Sequence, residues 1–310
     1  MGKINTSLHK WLDGAYCVGI VEHTADEIIG ADKPLDIHWI VPENDDTWMA
    51  DPFIIDADQD VITLLVEEYE IALNKGRLSR IRVDRHNYKL LSSEPILTLD
   101  THLSFPYPVY EDGKTYICPE TNATKEAALY TYDGRECKYA QKFIDGKMLD
   151  SQILQLWDNG IKVYYTFSVR GRGLGMDDTK EVEVYRSESL TGPYELIQTI
   201  KKEKCEGRGA GPIFRLSDGR MIRPAQNCEG GYGKGVIFFQ LELMPDGLFT
   251  ETEIGRIDAD ESKRNGLCLH TFSPFGNIIA VDGFDYKNRA IAKFAPMLYG
   301  LKNLINKVVR

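Results

Sequence analysis

Short runs of Val, Ile, Leu, Phe and Tyr alternate along most of the chain with clusters of Gly, Asp and Asn. That rhythm predicts many short antiparallel strands joined by tight turns. Five turns organise it: Gln59-Asp60, Asp112-Gly113, Asn159-Gly160, Asp218-Gly219 and Phe275-Gly276. Asx-Gly between apolar runs is favoured hairpin chemistry, because both central residues of a type I′ turn take positive φ. The middle three carry it.

The flanks of these turns resemble one another. Before them stand segments such as Asp51-Pro-Phe-Ile-Ile, Phe105-Pro-Tyr-Pro-Val and Gly211-Pro-Ile-Phe; after them stand Val61-Ile-Thr-Leu-Leu-Val, Thr115-Tyr-Ile-Cys and Asn277-Ile-Ile-Ala-Val. Taken at positions 60, 113, 160, 219 and 276, the turns lie 53, 47, 59 and 57 residues apart. A degenerate repeat of this size, with about four strands in each unit, predicts propeller blades. Third strands follow in Arg77-Leu-Ser-Arg-Ile-Arg-Val, Ala128-Leu-Tyr-Thr-Tyr, Glu181-Val-Glu-Val-Tyr and Val236-Ile-Phe-Phe. The fifth unit lacks a strong outer strand, and Tyr16-Cys-Val-Gly-Ile-Val is placed to supply it and close the ring. The expected fold is therefore all-β, a five-bladed β-propeller over residues 1–286, with a β-sandwich as the alternative.

The last residues follow a different period. Met297, Leu298, Leu301, Leu304, Ile305 and Val308 recur at helical spacing between Lys302, Asn303, Asn306 and Lys307. Residues 287–310 are expected to form a short basic amphipathic C-terminal helix. Its six basic residues, with no acidic one, suit packing on the body, an anionic membrane surface or a partner protein.

Composition narrows the function. The 310 residues carry a formal net charge of −10 with 43% hydrophobic residues. This is ordinary globular composition, and the acidity excludes a general nucleic-acid binder. No apolar run approaches membrane-spanning length, and Met1–Asp13 is polar, without the apolar stretch of a secretory signal. Six scattered cysteines form no C-x-x-C pair, so free thiols are expected and structural zinc is not. A cytoplasmic protein is the expectation.

Blade geometry locates a site. The first strand of each blade lines the channel and the second returns antiparallel, so the start of one and the end of the other share a rim. The residues at those positions are Asp51 with Glu67 and Glu68; His102 and Ser104 with Glu120; Asp150 and Gln152 with Ser168 and Arg170; Arg208 with Gln226 and Asn227; and His270 and Thr271 with Asp282 and Asp285. Arg223 abuts the fourth set, and Trp48, Phe105, Tyr107, Tyr232 and Phe272 stand nearby. Aromatic faces and carboxylates in one funnel suit a sugar ring. Gly171-Arg-Gly-Leu-Gly-Met precedes no apolar helix, so it reads as a mobile rim loop and not as a dinucleotide fingerprint. The Asp-rich stretch from Asp45 to Asp60 lacks the order of a calcium loop. No cofactor or metal is expected, although His270 is a candidate cation ligand, and G-x-S-x-G is absent.

Several of these segments resemble a known family. Trp48-Met-Ala-Asp-Pro-Phe-Ile, Glu67-Glu-Tyr, Lys75-Gly-Arg, His102-Leu-Ser-Phe-Pro, Pro119-Glu-Thr, Gly211-Pro-Ile-Phe, Arg223-Pro-Ala-Gln-Asn and Tyr232-Gly are similar to the N-terminal propeller-like domain of glucosamine inositolphosphorylceramide transferases and their bacterial relatives. More distantly, the pattern resembles the five-bladed glycosidases of families 43, 32 and 68. Family 43 places an Asp base in blade one, a second Asp in blade two and a Glu acid in blade three. Asp51 matches the first, Ser104 or Phe105 stands where the second would be, and Asp150 stands near the third. The rim geometry and the resemblance together give Asp51, Glu120 and Asp150 as catalytic candidates, with Trp48, Glu68, His102, Ser104, Arg170, Arg208, Arg223, Gln226 and His270 expected to bind substrate. The expected function is a carbohydrate-active propeller, hydrolase-like in its funnel. The alternative is a non-catalytic glycan or sugar-nucleotide module assisting a separate glycosyltransferase.

Overall fold

The computed structural model describes residues 14–30, 35–42, 44–121, 124–158 and 160–289. Among them, twenty strands form five four-stranded antiparallel sheets, the blades of a propeller. The chain opens with β1 (Gly14–Val21), a short helix α1 (Ala25–Gly30) and β2 (His38–Trp39). Blade one then comprises β3 (Thr47–Ala57), β4 (Val61–Glu70), β5 (Lys75–Asp84) and β6 (Leu90–Leu97). Blade two comprises β7 (Ser104–Glu111), β8 (Lys114–Glu120), β9 (Glu126–Tyr132) and β10 (Cys137–Asp145). Blade three follows as β11 (Met148–Asp158), β12 (Ile161–Arg170), β13 (Glu181–Ser187) and β14 (Glu195–Lys201). Blade four is β15 (Phe214–Arg215), β16 (Met221–Asn227), β17 (Gly235–Leu243) and β18 (Phe249–Asp258).

The fifth blade has the order β19-β20-β1-β2, with β19 (Phe272–Phe275) and β20 (Ile278–Tyr286) at the C-terminal end of the chain. β1 pairs with β20 from Gly14↔Tyr286 to Val21↔Ile279. The ring is thus closed by the strand that the apolar run at Tyr16–Val21 predicts. Closure covers the edge of β20 that a two-stranded fifth blade would leave open.

Turn chemistry follows the sequence with two refinements. Asp112 and Gly113 both take positive φ (48° and 73°), as a two-residue hairpin needs. At the fourth turn Gly219 alone is left-handed, and its N–H donates to the Leu216 carbonyl in a longer loop. At the fifth, Phe275 pairs with Ile278, so the loop residues are Gly276-Asn277 rather than Phe275-Gly276.

The cores lie between adjacent blades. Ile62, Leu64 and Val66 of β4 pack with Ile20 and Ile278 of blade five, whereas Leu65 packs toward Phe105 and Ile117 of blade two. Both faces of each inner strand are therefore buried, at roughly 1.5–3 kcal/mol for each large side chain. The outer strands β6, β10, β14 and β18 carry the polar residues. The expected helix at 287–310 lies outside the described residues beyond Arg289, whose guanidinium pairs with Asp285.

Candidate active site in the central funnel

Three innermost strands share an unusual feature. Asp51, Phe105 and Asp150 lie near the start of β3, β7 and β11 with φ of 48°, 48° and 44°. Each sits in a bulge, where the register slips between Ala50 and Phe53, Ser104 and Tyr107, and Leu149 and Gln152. Left-handed φ is tolerable for Asp but strained for a bulky Phe, and such bulges re-aim groups beside functional sites. In blade four the corresponding chain segment carries Gly211 at φ 128°.

The bulges turn their amides toward the neighbouring blade, where a side chain receives them. Asp282 Oδ2 accepts the Asp51 N–H at 3.0 Å, linking blade five to blade one. Asp51 Oδ2 accepts the Phe105 N–H at 3.0 Å, linking one to two. Glu120 Oε2 accepts the Asp150 N–H at 3.2 Å, linking two to three. Gln152 Nε2 donates to the Gly211 carbonyl at 2.7 Å, and the Phe272 N–H donates to the Ala210 carbonyl at 2.7 Å, completing the circuit. A relay of hydrogen bonds thus runs once around the channel. Below it Tyr107 reaches across, donating to the Ile153 carbonyl and accepting from the Ile213 N–H, with Phe53 and Phe105 packed on it.

Two ionic clusters stand on this relay. In the first, His270 lies between two carboxylates, with Nε2 at 3.2 Å from Asp51 and Nδ1 at 2.9 Å from Asp282. Asp282 Oδ1 also accepts the His270 and Thr271 amides, and Thr271 Oγ1 donates to Asp51. Burial opposes the imidazolium, but Asp282 and its hydrogen bond hold His270 well above the ordinary histidine range. Burial raises Asp282, and the His270 charge outweighs it, so that carboxyl is lowered. Asp51, His270 and Asp282 also present ligand atoms within 4.8 Å of one another, a donor set of the kind that holds a divalent cation. With both ring nitrogens facing carboxylates, the imidazolium already supplies positive charge there. Tyr16 and Tyr232 flank the ring with centroids 5.1 and 5.2 Å away.

In the second cluster, Arg208 Nε donates to Asp150 Oδ2 at 2.5 Å and Nη2 donates to Glu120 Oε2 at 3.1 Å. Gln226 Nε2 also donates to Asp150, at 2.9 Å. Burial, reinforced by the Asp150 charge, pushes Glu120 well above the usual carboxylate range. The guanidinium lies 5.2 Å from the centre of the Tyr232 ring.

A third carboxyl stands apart. Glu67 is 5% exposed, and its Oε1 has no hydrogen-bond partner among the described residues, although His102 Nε2 lies 3.5 Å away. Burial and the charge of Asp51 raise it well above the usual range. The Gly76 N–H donates to His102 Nδ1 at 2.9 Å, which fixes the ring proton on Nε2, facing Glu67. Trp48 stacks on Tyr69 at 4.3 Å and tilts toward Tyr16, so an aromatic row leads to the mouth.

The structure brings together Asp51, Glu120, Asp150, Arg208, Gln226 and His270, with Trp48, His102 and the buried Ser104 beside them. Three predicted residues point elsewhere. Glu68 faces away from Glu67, accepting from Ser79 Oγ at 2.5 Å and Arg77 Nε at 3.1 Å. Arg170 Nε is held by both Glu183 oxygens within blade three. Arg223, fully buried, pairs with Glu251 and donates to Gln152 Oε1 and the Gly207 carbonyl. The expected rim loop at Gly171–Met176 is tied down, since Asp178 Oδ2 accepts the amides of Arg172, Gly173 and Leu174. Glu67 and Asp282 emerge from the rim positions as residues of the funnel itself. Strand alternation separates the two neighbours without saying which face opens to the channel: Glu67 shares a face with Leu65, toward blade two, and Glu68 shares a face with Val66.

Comparison with known proteins agrees with this architecture. The family described as Glucosamine inositolphosphorylceramide transferase 1, N-terminal, matches residues 41–270. Glucosamine inositolphosphorylceramide transferase 1 of Oryza sativa subsp. japonica is 26% identical over 238 residues, covering 72% of this chain and 30% of its own length. The Arabidopsis thaliana protein of that name is 25% identical, covering 73% of this chain and 30% of its own. This chain therefore spans under a third of these relatives. The exo-β-1,3-galactanase 1,3Gal43A from Clostridium thermocellum has the same fold, with a TM-score of 0.51 at 15% identity over 68% of this chain and 50% of the galactanase chain.

Proposed function

This chain belongs to the glucosamine inositolphosphorylceramide transferase 1 N-terminal family, and from that premise we propose that its funnel binds a neutral glycosyl unit without cleaving it. The protein would serve as the recognition module for a glycan or sugar conjugate during assembly by a separate glycosyltransferase. One observation carries the reading. The funnel carboxylates of Asp51, Glu120 and Asp282 are engaged as acceptors of the neighbouring blades' amides, and the blade-two position equivalent to Asp51 and Asp150 is the apolar Phe105. A glycosidase needs two carboxyl groups free to flank the scissile bond. The aromatic row remains available for a sugar face, beside the Arg208 guanidinium that holds Asp150 and Glu120 in place.

Relatives named as glycosyl transferases support a role in assembly, and a galactanase on the same fold supports a sugar-sized funnel. With Glu67 and Glu120 favoured as uncharged acids, the carboxyl groups of Asp51, Asp150 and Asp282 still outnumber the cations His270 and Arg208, so an uncharged ligand fits better than an anionic one. All six cysteines are unpaired, which supports the cytoplasm as the working compartment. Calorimetric titration with a panel of neutral mono- and disaccharides tests the reading. Saturable binding that is lost in Arg208→Ala supports it, and no heat from any sugar refutes it.

A second reading, hydrolysis, is favoured by one feature: a raised carboxyl, Glu67, lies beside the Asp51 carboxylate. An acid and a base in one funnel are the minimum for glycosidic cleavage.

A further inference from the structure

We propose that Glu67 is a ligand-contacting residue that donates a hydrogen bond from its carboxyl group to an acceptor oxygen of the bound sugar. The acceptor would be a ring, glycosidic or acyl oxygen. This rests on the carbohydrate reading above and deepens it by assigning a donor for an uncharged oxygen.

The geometry comes first. Glu67 is buried at the end of β4, on the face that looks into the funnel, and no described residue hydrogen-bonds its Oε1 within normal range. A buried polar atom left without a partner costs roughly 1–3 kcal/mol, so the site is stabilised by whatever satisfies it. Space has been kept for this carboxyl. A Cβ added at Gly76 would lie 2.7 Å from Glu67 Oε1, 2.9 Å from His102 Cε1 and 2.5 Å from the Leu103 carbonyl. Only glycine at that position of β5 leaves the Glu67–His102 pair in place.

The direction of donation follows from the neighbours. His102 Nδ1 accepts from Gly76, so its Nε2–H faces Glu67 Oε1 from 3.5 Å, too long for a good hydrogen bond, and the carboxyl proton belongs on Oε2. Facing the carboxyl from the other elements are Asp51 of β3, Glu120 of β8, and His270 and Asp282 of blade five, with Tyr69 on β4 itself. Burial and Asp51 favour the uncharged acid, whereas His270 favours the carboxylate; burial is the largest effect. The uncharged acid has a proton to give, and a sugar oxygen can take it where an anionic side chain would repel it.

The test uses the full chain with Glu67→Gln and Glu67→Ala. Gln keeps a donor but cannot ionise; Ala has none. Titration of neutral sugars between pH 6 and 9 is expected to show wild-type affinity falling as the pH rises. Glu67→Gln should bind at pH 6 and be flat with pH, and Glu67→Ala should bind about tenfold more weakly throughout. Infrared difference spectra of the free proteins give a readout that needs no ligand: beside the signal of Glu120, wild type at neutral pH should show a protonated-carboxyl band that is missing in Glu67→Gln. Absence of that band in wild type, unchanged affinity in Glu67→Ala, or a wild-type pH profile in Glu67→Gln overturns the inference alone. No sugar binding by any of the three proteins, with the band present, overturns the carbohydrate reading and the inference with it.

Discussion

Replacing Asp282 with Asn puts the ring latch under direct strain. The carboxylate is fully buried and accepts four donors: the amides of Asp51, His270 and Thr271, and His270 Nδ1. A carboxamide can turn its oxygen toward one side only. If that side is His270 and Thr271, its NH2 meets the Asp51 N–H, donor against donor, and one buried amide loses its acceptor at about 1–3 kcal/mol. The His270 charge also loses a buried counter-ion, and breaking a buried pair from one side costs about 3–5 kcal/mol. The two terms share contacts, so a total near 3–5 kcal/mol is expected. This lowers the midpoint of equilibrium urea unfolding at pH 7 by on the order of 1–2 M. The pH dependence carries a sign. The Asp282 contribution is present above 3.8 and lost as pH falls through its lowered folded value. The His270 contribution is present below 6.5 and lost as pH rises through its raised folded value. The difference between wild type and Asp282→Asn should therefore be largest between pH 3.8 and 6.5 and shrink on both sides. Removing His270 as well, as Asp282→Asn/His270→Gln, should cost less than the sum of the single changes, because the orphaned charge is gone. A loss below about 1 kcal/mol at pH 7, or strict additivity, would refute the latch.

Other outcomes follow from the same contacts. Arg223→Met should destabilise by less than the roughly 3–5 kcal/mol of a stranded buried charge, because Lys202 stays paired with Glu251, whereas Glu251→Met should reach that range by stranding both cations; denaturant titrations read both. Gly211→Ala should destabilise by at least about 2 kcal/mol, because its φ is 128° and a Cβ would lie 2.2 Å from the Phe272 carbonyl; the thermal midpoint reads this. Stability should fall as pH rises above neutral. Glu67 and Glu120 are raised above 4.5 and His270 above 6.5, so the folded state holds more protons than the unfolded state across that window; unfolding free energies measured from pH 6 to 10 would contradict this if flat or rising.

The turns and the apolar runs were enough to expect five blades, because hairpin chemistry is local. The closing strand at Tyr16–Val21 was legible because it is apolar and the fifth unit lacks a strong outer strand of its own. The polar rim was legible from hairpin direction alone. What lay beyond the sequence was which neighbouring side chain enters the funnel. Glu67 and Glu68 are equally acidic, and both faces of β4 are buried by adjacent blades, so alternation leaves no polar face to mark the channel. Arg223 misled for a related reason. Its ion pair is with Glu251, two strands away in blade four, and no local spacing announces it. The bulges at Asp51, Phe105 and Asp150 were equally hidden, because they depend on acceptors contributed by the preceding blade.

The most direct test is long incubation of the full chain with the sugar it binds, presented as a glycoside, followed by chromatographic analysis of products. Saturable binding with no free sugar released, in wild type and in Asp51→Asn alike, is the predicted result. Release of free sugar that disappears in Asp51→Asn would contradict it and establish hydrolysis in the funnel.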